Sequence, residues 1–213
     1  MDHPYDYPYY PVDGVGEHQS RIQFVTVGND AALSLWSYDV KIGELTAFHA
    51  TPPDQLKNVH FVSVEFTEHS ASPRYAVIGA SDGSLVGWDE KNHEWVDFAR
   101  GEVIDGQVGA ISIKANAVVV GSSRGCLCHY PLEGNTIQPA DPDAVTTYNC
   151  DSAIVALSMD EANREGLVGT ENGTIYYVNF DEADPSVYPI PIVSSNNINR
   201  DAISLLQIDP GNP

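Results

Sequence analysis

Apolar and polar residues alternate along this chain in short runs, not at helical spacing. Four stretches share one arrangement: a short apolar run, a turn of small residues, then a second alternating run ending in a large side chain. They are Phe24–Ser37, Tyr75–Asp89, Ala117–Tyr130 and Glu165–Asn179, and their large end residues are Trp36, Trp88, Tyr130 and Val178. Period-two alternation bounded by turn residues, with β-branched and aromatic side chains, predicts strands. Each copy therefore reads as a hairpin. Gly83, Gly125 and Gly173 stand where the turn needs positive φ, whereas the first copy has Ala31, so a different turn is expected there.

Three hairpins are preceded by a further alternating run: Phe61–Phe66, Gly109–Ile113 and Ala153–Leu157. Glu44–Phe48, Trp95–Phe98 and Ser186–Ile192 are candidates for an outer strand after the hairpin; Pro189 and Pro191 suit only an edge. Tyr38–Asn58, Pro131–Asn149 and Asp181–Asn199 read as longer polar connections, the segments that carry most binding. A strand-built unit recurring every roughly 40 to 50 residues predicts a propeller or a similar array of small sheets.

The run Gly79-Ala-Ser-Asp-Gly-Ser-Leu-Val-Gly-Trp-Asp89 resembles the WD40 repeat, in which a glycine, a turn aspartate and a closing Trp-Asp recur. Gly28-Asn-Asp30 with Trp36-Ser37 fits the same pattern. The resemblance spans about residues 20–209 and implies an all-β fold, a WD40-type β-propeller. The Gly-His pair that precedes the inner strand in WD40 repeats is missing from every copy. More finely, Gly166–Asn179, and His60–Val64 with the Trp88 hairpin, are similar to blades of the large cilia- and flagella-associated or centriolar WD-repeat proteins and of the echinoderm-microtubule-associated-protein-like family. That similarity implies a scaffold of a microtubule, cilium, flagellum or axoneme.

Four hairpins imply four blades, whereas WD40 rings usually hold about seven and propellers range from about four to eight. No clear inner strand precedes Phe24, and Asp201–Asp209 alternates like an inner strand without a hairpin. Two arrangements follow. Either this last strand completes the first blade in a small closed ring, or the four blades are part of a seven- or eight-bladed ring completed by another chain or segment. The expected organisation is a Tyr/Pro-rich arm at 1–20, blades at 21–209 and a tail at 210–213.

Composition narrows the partners. Ten Lys and Arg stand against 30 Asp and Glu, a formal charge of −20. Such a field repels phosphate backbones and anionic lipid, so neither nucleic acid nor a membrane is expected; a basic protein surface is. The start MDHPYDYPYYPVDG lacks a basic, apolar leader, and no apolar run approaches a membrane span of about 18 residues. Three cysteines, Cys126, Cys128 and Cys150, fit a reducing compartment and no disulfide framework. Cys126 and Cys128 share one face of a predicted strand and read as buried thiols. The expected location is the cytoplasm; the family resemblance implies the cytoskeleton or the axoneme of a cilium or flagellum.

Signatures of chemistry fail one by one. Ser81 is followed directly by Asp82, which breaks the Ser-x-Asp-x-Gly-x-x-Trp spacing of sialidase-type blades, and six arginines leave no obvious carboxylate-binding cluster. No Gly-x-Ser-x-Gly elbow, phosphate loop or calcium-loop spacing occurs. The seven histidines form no paired ligand motif. No catalytic residue, cofactor or metal is therefore assigned. Asn172-Gly-Thr174 matches a glycosylation acceptor but reads as turn chemistry. Trp36 and Trp88 read as core residues. The candidate contact residues are Tyr5, Tyr7, Tyr9 and Tyr10 on a proline-stiffened arm, and Trp95.

The reading is a non-enzymatic protein-interaction scaffold within a large complex. The alternative is a propeller enzyme or small-ligand binder that uses the central channel, where Glu65 and Lys114 are the polar exceptions among apolar inner strands.

Overall fold

The computed structural model describes residues 21–28, 30–56, 58–66, 75–99, 104–114, 117–132, 145–180, 186–190 and 203; the Tyr-rich arm and the 210–213 tail lie outside them. Among the described residues the chain folds into four antiparallel sheets laid down in sequence order. The first holds β1 (Arg21–Val27), β2 (Leu33–Asp39) and β3 (Glu44–Ala50). The second holds β4 (Phe61–Phe66), β5 (Tyr75–Ala80), β6 (Leu85–Asp89) and β7 (Glu94–Ala99). The third holds β8 (Val108–Lys114), β9 (Ala117–Ser122), β10 (Cys126–Pro131) and β11 (Thr146–Asn149). The fourth holds β12 (Ile154–Met159), β13 (Glu165–Thr170), β14 (Ile175–Asn179) and β15 (Ser186–Pro189). The one helical element among the described residues is a 3-10 turn, Asp54–Leu56.

Strand alternation sends successive side chains to opposite faces, so every interior sheet is apolar on both sides. Between the first and second sheets, Leu33 and Ala50 meet Phe61, Ala76, Ile78 and Trp88. Between the second and third, Val77 and Leu85 meet Val108, Val118, Val120 and Tyr130. Between the third and fourth, Val119 and Leu127 meet Ile154, Val168, Tyr176 and Val178. Each fully buried large side chain contributes about 2 kcal/mol, so these layers carry most of the stability.

The repeat extends below the level of strands. The inner strands β4, β8 and β12 each carry a register shift at the same place, between Phe61 and Ser63, Val108 and Ala110, and Ile154 and Ala156. Bulges bend and twist a strand, and three in equivalent positions bend the sheets alike. The first residue of each inner strand is buried against the preceding sheet. Glycine makes room for it: a Cβ on Gly79 would lie 2.4 Å from Val108 Cγ1, and one on Gly121 2.2 Å from Ile154 Cγ2.

Three expectations change. Pro131–Asn149 is not wholly a connection, because β11 pairs with β10 as an outer strand; Thr-Thr-Tyr-Asn is too short and polar to show alternation. Ala31 does not alter its turn. It takes φ 58 where Gly83, Gly125 and Gly173 take 89, 81 and 82. The partner of Asp89 in the first sheet is Asp39, not Ser37, because β2 runs two residues longer before its next turn. Asp39 faces Glu44 as Asp89 faces Glu94.

Candidate interaction face

Two kinds of loop gather at one end of the four sheets: the turns inside the hairpins and the connections into the next inner strand. The turns are built alike. Asp30, Asp82 and Asn172 each accept, through a side-chain oxygen, the N–H two residues on, from Ala32, Ser84 and Thr174 at 3.1, 3.0 and 3.1 Å. This Asx geometry explains why a turn aspartate recurs. In the third sheet Arg124 occupies that position, and Ser122 Oγ takes the role, accepting the Cys126 N–H at 3.1 Å.

The turns are tied to the following connection. The Cys150 N–H donates to the Gly125 carbonyl at 2.8 Å, and the Ser122 hydroxyl donates to the Asp105 carbonyl at 2.7 Å. Asn172 Nδ2 and the Thr174 hydroxyl donate to Asp151 Oδ2 at 2.8 and 3.3 Å. The Asn172 bond, with help from Tyr176 and Thr174, holds the Asp151 carboxyl below the usual range for an aspartate. These loops thus present fixed charges.

Those charges have one dominant sign. Asp30, Asp54, Asp82, Asp105, Asp151 and Glu171 are all exposed at this end. Arg124 is the described cation beside them, and it is engaged by Asp105 at 2.6 Å. At the opposite end Lys41, Lys91, Lys114 and Arg164 interleave with acids.

No protein-family model matches the chain. WD repeat-containing protein 90 of Xenopus tropicalis is 22% identical over 184 residues, 82% of this chain and 10% of its own length. The Mus musculus protein of the same name is 26% identical over 184 residues, 81% of this chain and 9% of its own. The chain thus spans about a tenth of the length of the curated relatives it matches. A chain in the crystal structure of a mitotic checkpoint complex superimposes with a TM-score of 0.52 at 11% identity, over 84% of this chain and 59% of that one. The fold is a WD40-type β-propeller.

Within the propeller the signature Trp-Asp has a visible job. Asp89 Oδ1 accepts the Lys91 and Asn92 N–H groups at 2.8 and 2.9 Å, closing the turn to the outer strand. Trp88 is buried toward the preceding blade, ringed by Phe48 at 5.9 Å and Trp95 at 5.2 Å. Trp36, its counterpart, is only half-buried; its Nε1 donates to Thr26 Oγ1 at 3.0 Å. Trp95 is half-buried between blades, with its Nε1 donating to the Thr51 carbonyl at 2.8 Å. Tyr5, Tyr7, Tyr9 and Tyr10 lie outside the described residues.

The polar residues of the inner strands do not converge on a reaction centre. Burial raises the Glu65 carboxyl from its ordinary 4.5 to about 7, against the opposing pull of Lys114 and the Ile113 backbone. Among the described residues no three His, Cys, Asp or Glu are placed to hold a metal. Cys126 and Cys128 are buried with sulfurs 3.5 Å apart. Their hydrogen bond lowers the Cys126 thiol to about 7 and raises that of Cys128. Both face the second blade, while His129 turns the other way and stacks on Phe180 at 4.5 Å.

Sequence reasoning passed over Asn163. This fully buried residue, at φ 54, joins two blades. Its Nδ2 donates to the Ser112 and Ala117 carbonyls at 3.0 and 2.8 Å, and its Oδ1 accepts the Ser112 hydroxyl at 3.0 Å. Its position in Glu-Ala-Asn-Arg, between two strands, looks like any polar turn, so no local signal marks it.

Proposed function

We propose that this propeller is a non-enzymatic protein-interaction scaffold whose acidic loop end receives a basic protein surface. The observation that carries the reading is the row of carboxylates on hydrogen-bonded turns at one end, set against mixed charge at the other. Fixed charge of one sign steers and orients a complementary partner. The Tyr-rich arm and Trp95 are proposed as further contacts. By resemblance, the setting is a ciliary, flagellar, axonemal or other microtubule-associated assembly.

Two measurements test this. Asp54→Lys with Glu171→Lys, which leave the turn hydrogen bonds in place, should weaken binding of a Lys/Arg-rich peptide about tenfold, the ~1.4 kcal/mol expected of two rim reversals. Glu44→Lys with Glu94→Lys, at the other end, should change it little. Equal effects at both ends would show only non-specific attraction. For the setting, tagged protein in ciliated cells should concentrate at the axoneme or microtubules; a diffuse signal would count against it.

A further inference from the structure

The third blade carries a pair of sulfurs that its fold does not require. Cys126 directly follows Gly125, one of the four positive-φ turn residues, and at that position the other blades hold Ala32, Ser84 and Thr174. Cys128 stands where they hold Ser34, Val86 and Tyr176. Blade two buries Ser84 and Val86 at these same two positions. Packing and turn chemistry are thus met without thiols. Cysteine at both places brings two sulfurs together on one face of β10, 3.5 Å apart.

The two sulfurs differ in access and in surroundings. Cys126 lies two residues beyond the exposed Arg124 and is 5% exposed, whereas Cys128, further into the strand, is fully buried. The hydrogen bond from Cys128 lowers the Cys126 thiol to about 7; burial opposes it, a bond to the Asp105 backbone assists, and the Asp105 charge opposes. Much of Cys126 is therefore thiolate, the nucleophilic form, at neutral pH. Cys128 stays protonated, because the same hydrogen bond and its burial raise it. Cys150 stands apart: it packs toward the fourth blade while the pair faces the second, and burial pushes its thiol up to about 12.

A bridge within the pair is geometrically in reach. Two residues of an antiparallel strand span about 6.8 Å, the upper end of the Cα separations of about 4.4–6.8 Å that disulfides join. The sulfurs need only close from 3.5 Å to about 2.05 Å. The strand must shorten slightly, opposite Asn149 and Thr147 of β11. A bridge made under such strain is readily reduced again.

We infer that Cys126 and Cys128 form a redox-modification site, oxidised by hydroperoxides to a disulfide within β10 and reset by small thiols. The Cys126 thiolate attacks one peroxide oxygen; the O–O bond breaks and hydroxide leaves, giving a sulfenic acid. The Cys128 sulfur then attacks the Cys126 sulfur. The S–S bond forms, the S–O bond breaks, and the hydroxyl departs with the Cys128 proton as water. The two thiols together lose two electrons, which reduce the peroxide. Two equivalents of a small thiol return those electrons and become a disulfide themselves. The site stands independently of what the loop end binds.

The test treats the folded 213-residue chain with hydrogen peroxide, removes the peroxide with catalase, then unfolds the chain and alkylates the thiols that remain. Tryptic cleavage leaves all three cysteines on the fragment Gly125–Arg164. By mass spectrometry it should carry one alkyl group instead of three, and three again after dithiothreitol. In Cys150→Ser it should carry none instead of two, which places the bridge between Cys126 and Cys128. Cys128→Ser should trap the intermediate, with dimedone labelling Cys126; Cys126→Ser should give neither a bridge nor a dimedone label on Cys128. Strand content by circular dichroism should survive the peroxide. Three alkyl groups on peroxide-treated wild type, a bridge that uses Cys150, or dimedone on Cys128 in place of Cys126 each overturn the inference. So does loss of strand content on oxidation, which would mean that the sulfurs react only as the blade unfolds.

Discussion

Asn163 is the most exposed point of the interpretation, because it couples two blades through polar atoms alone. Replacing it with alanine removes three hydrogen bonds, each worth about 1 kcal/mol net, and leaves buried groups of blade three without those partners. Alanine at φ 54 adds about 1 kcal/mol of left-handed strain that asparagine tolerates better. The expected loss is therefore about 4 kcal/mol. Asn163→Gly loses the same bonds but not the strain, and should cost about 3 kcal/mol. Asn163→Asp keeps the shape but aims a carboxylate at two carbonyl oxygens, and should cost at least as much as alanine. Urea denaturation followed by tryptophan fluorescence gives all three values. Should aspartate cost under about 1 kcal/mol, the side chain does not bridge Ser112 and Ala117, and the packing of blade four on blade three is wrong.

Gly125→Ala should cost about 3 kcal/mol, since φ 81 strains any side chain and its Cβ would meet the Cys150 and Ser152 carbonyls at 2.7 and 2.8 Å. Gly43→Ala, at φ 69 with open space around it, should cost only the strain of about 1 kcal/mol; equal losses in denaturation would show that the hairpin turn is not wedged against the next blade. Glu65, raised from 4.5 to about 7, is protonated in the folded chain and ionised in the unfolded one between those values, so its contribution to stability falls as pH rises from 4.5 to 7. Glu65→Gln should flatten that fall and, allowing for the lost attraction to Lys114, stabilise the protein at pH 8 by ~1–2 kcal/mol; thermal melts at pH 5 and pH 8 with no change in the difference between variant and wild type would contradict the burial of this carboxyl.

The hairpins were legible because both signals that specify them are local: alternation over a few residues and a positive-φ glycine. Alternation also revealed the inner strands, though not their shared bulges, since Val62, Gly109 and Val155 at those points have no common residue type. The outer strand β11 stayed hidden because its stability comes from pairing with β10, not from its own pattern. Ala31 misled for a related reason: packing holds it at φ 58 against its own preference. The acidic character of the chain was plain from composition, but the placing of Lys41, Lys91, Lys114 and Arg164 at the end opposite the acidic loops depends on how strand directions repeat from sheet to sheet. Asn163 needed tertiary structure, because only the neighbouring blade gives this residue its meaning.

The arrangement of the blades about a common axis can be measured directly through distances between the equivalent turn positions Asp30, Asp82, Arg124 and Asn172. Spin labels attached through an introduced ketone-bearing residue, which spares the native thiols, and dilution with unlabelled protein isolate distances within one chain. Steps between adjacent positions should be equal. The 30-to-172 separation should be about 2.4 times one step for an arc of an eight-bladed ring, since chords of a circle shorten relative to the path. A ratio of about 1 would mean a closed four-bladed ring, and about 3 a straight stack of sheets with no axis at all.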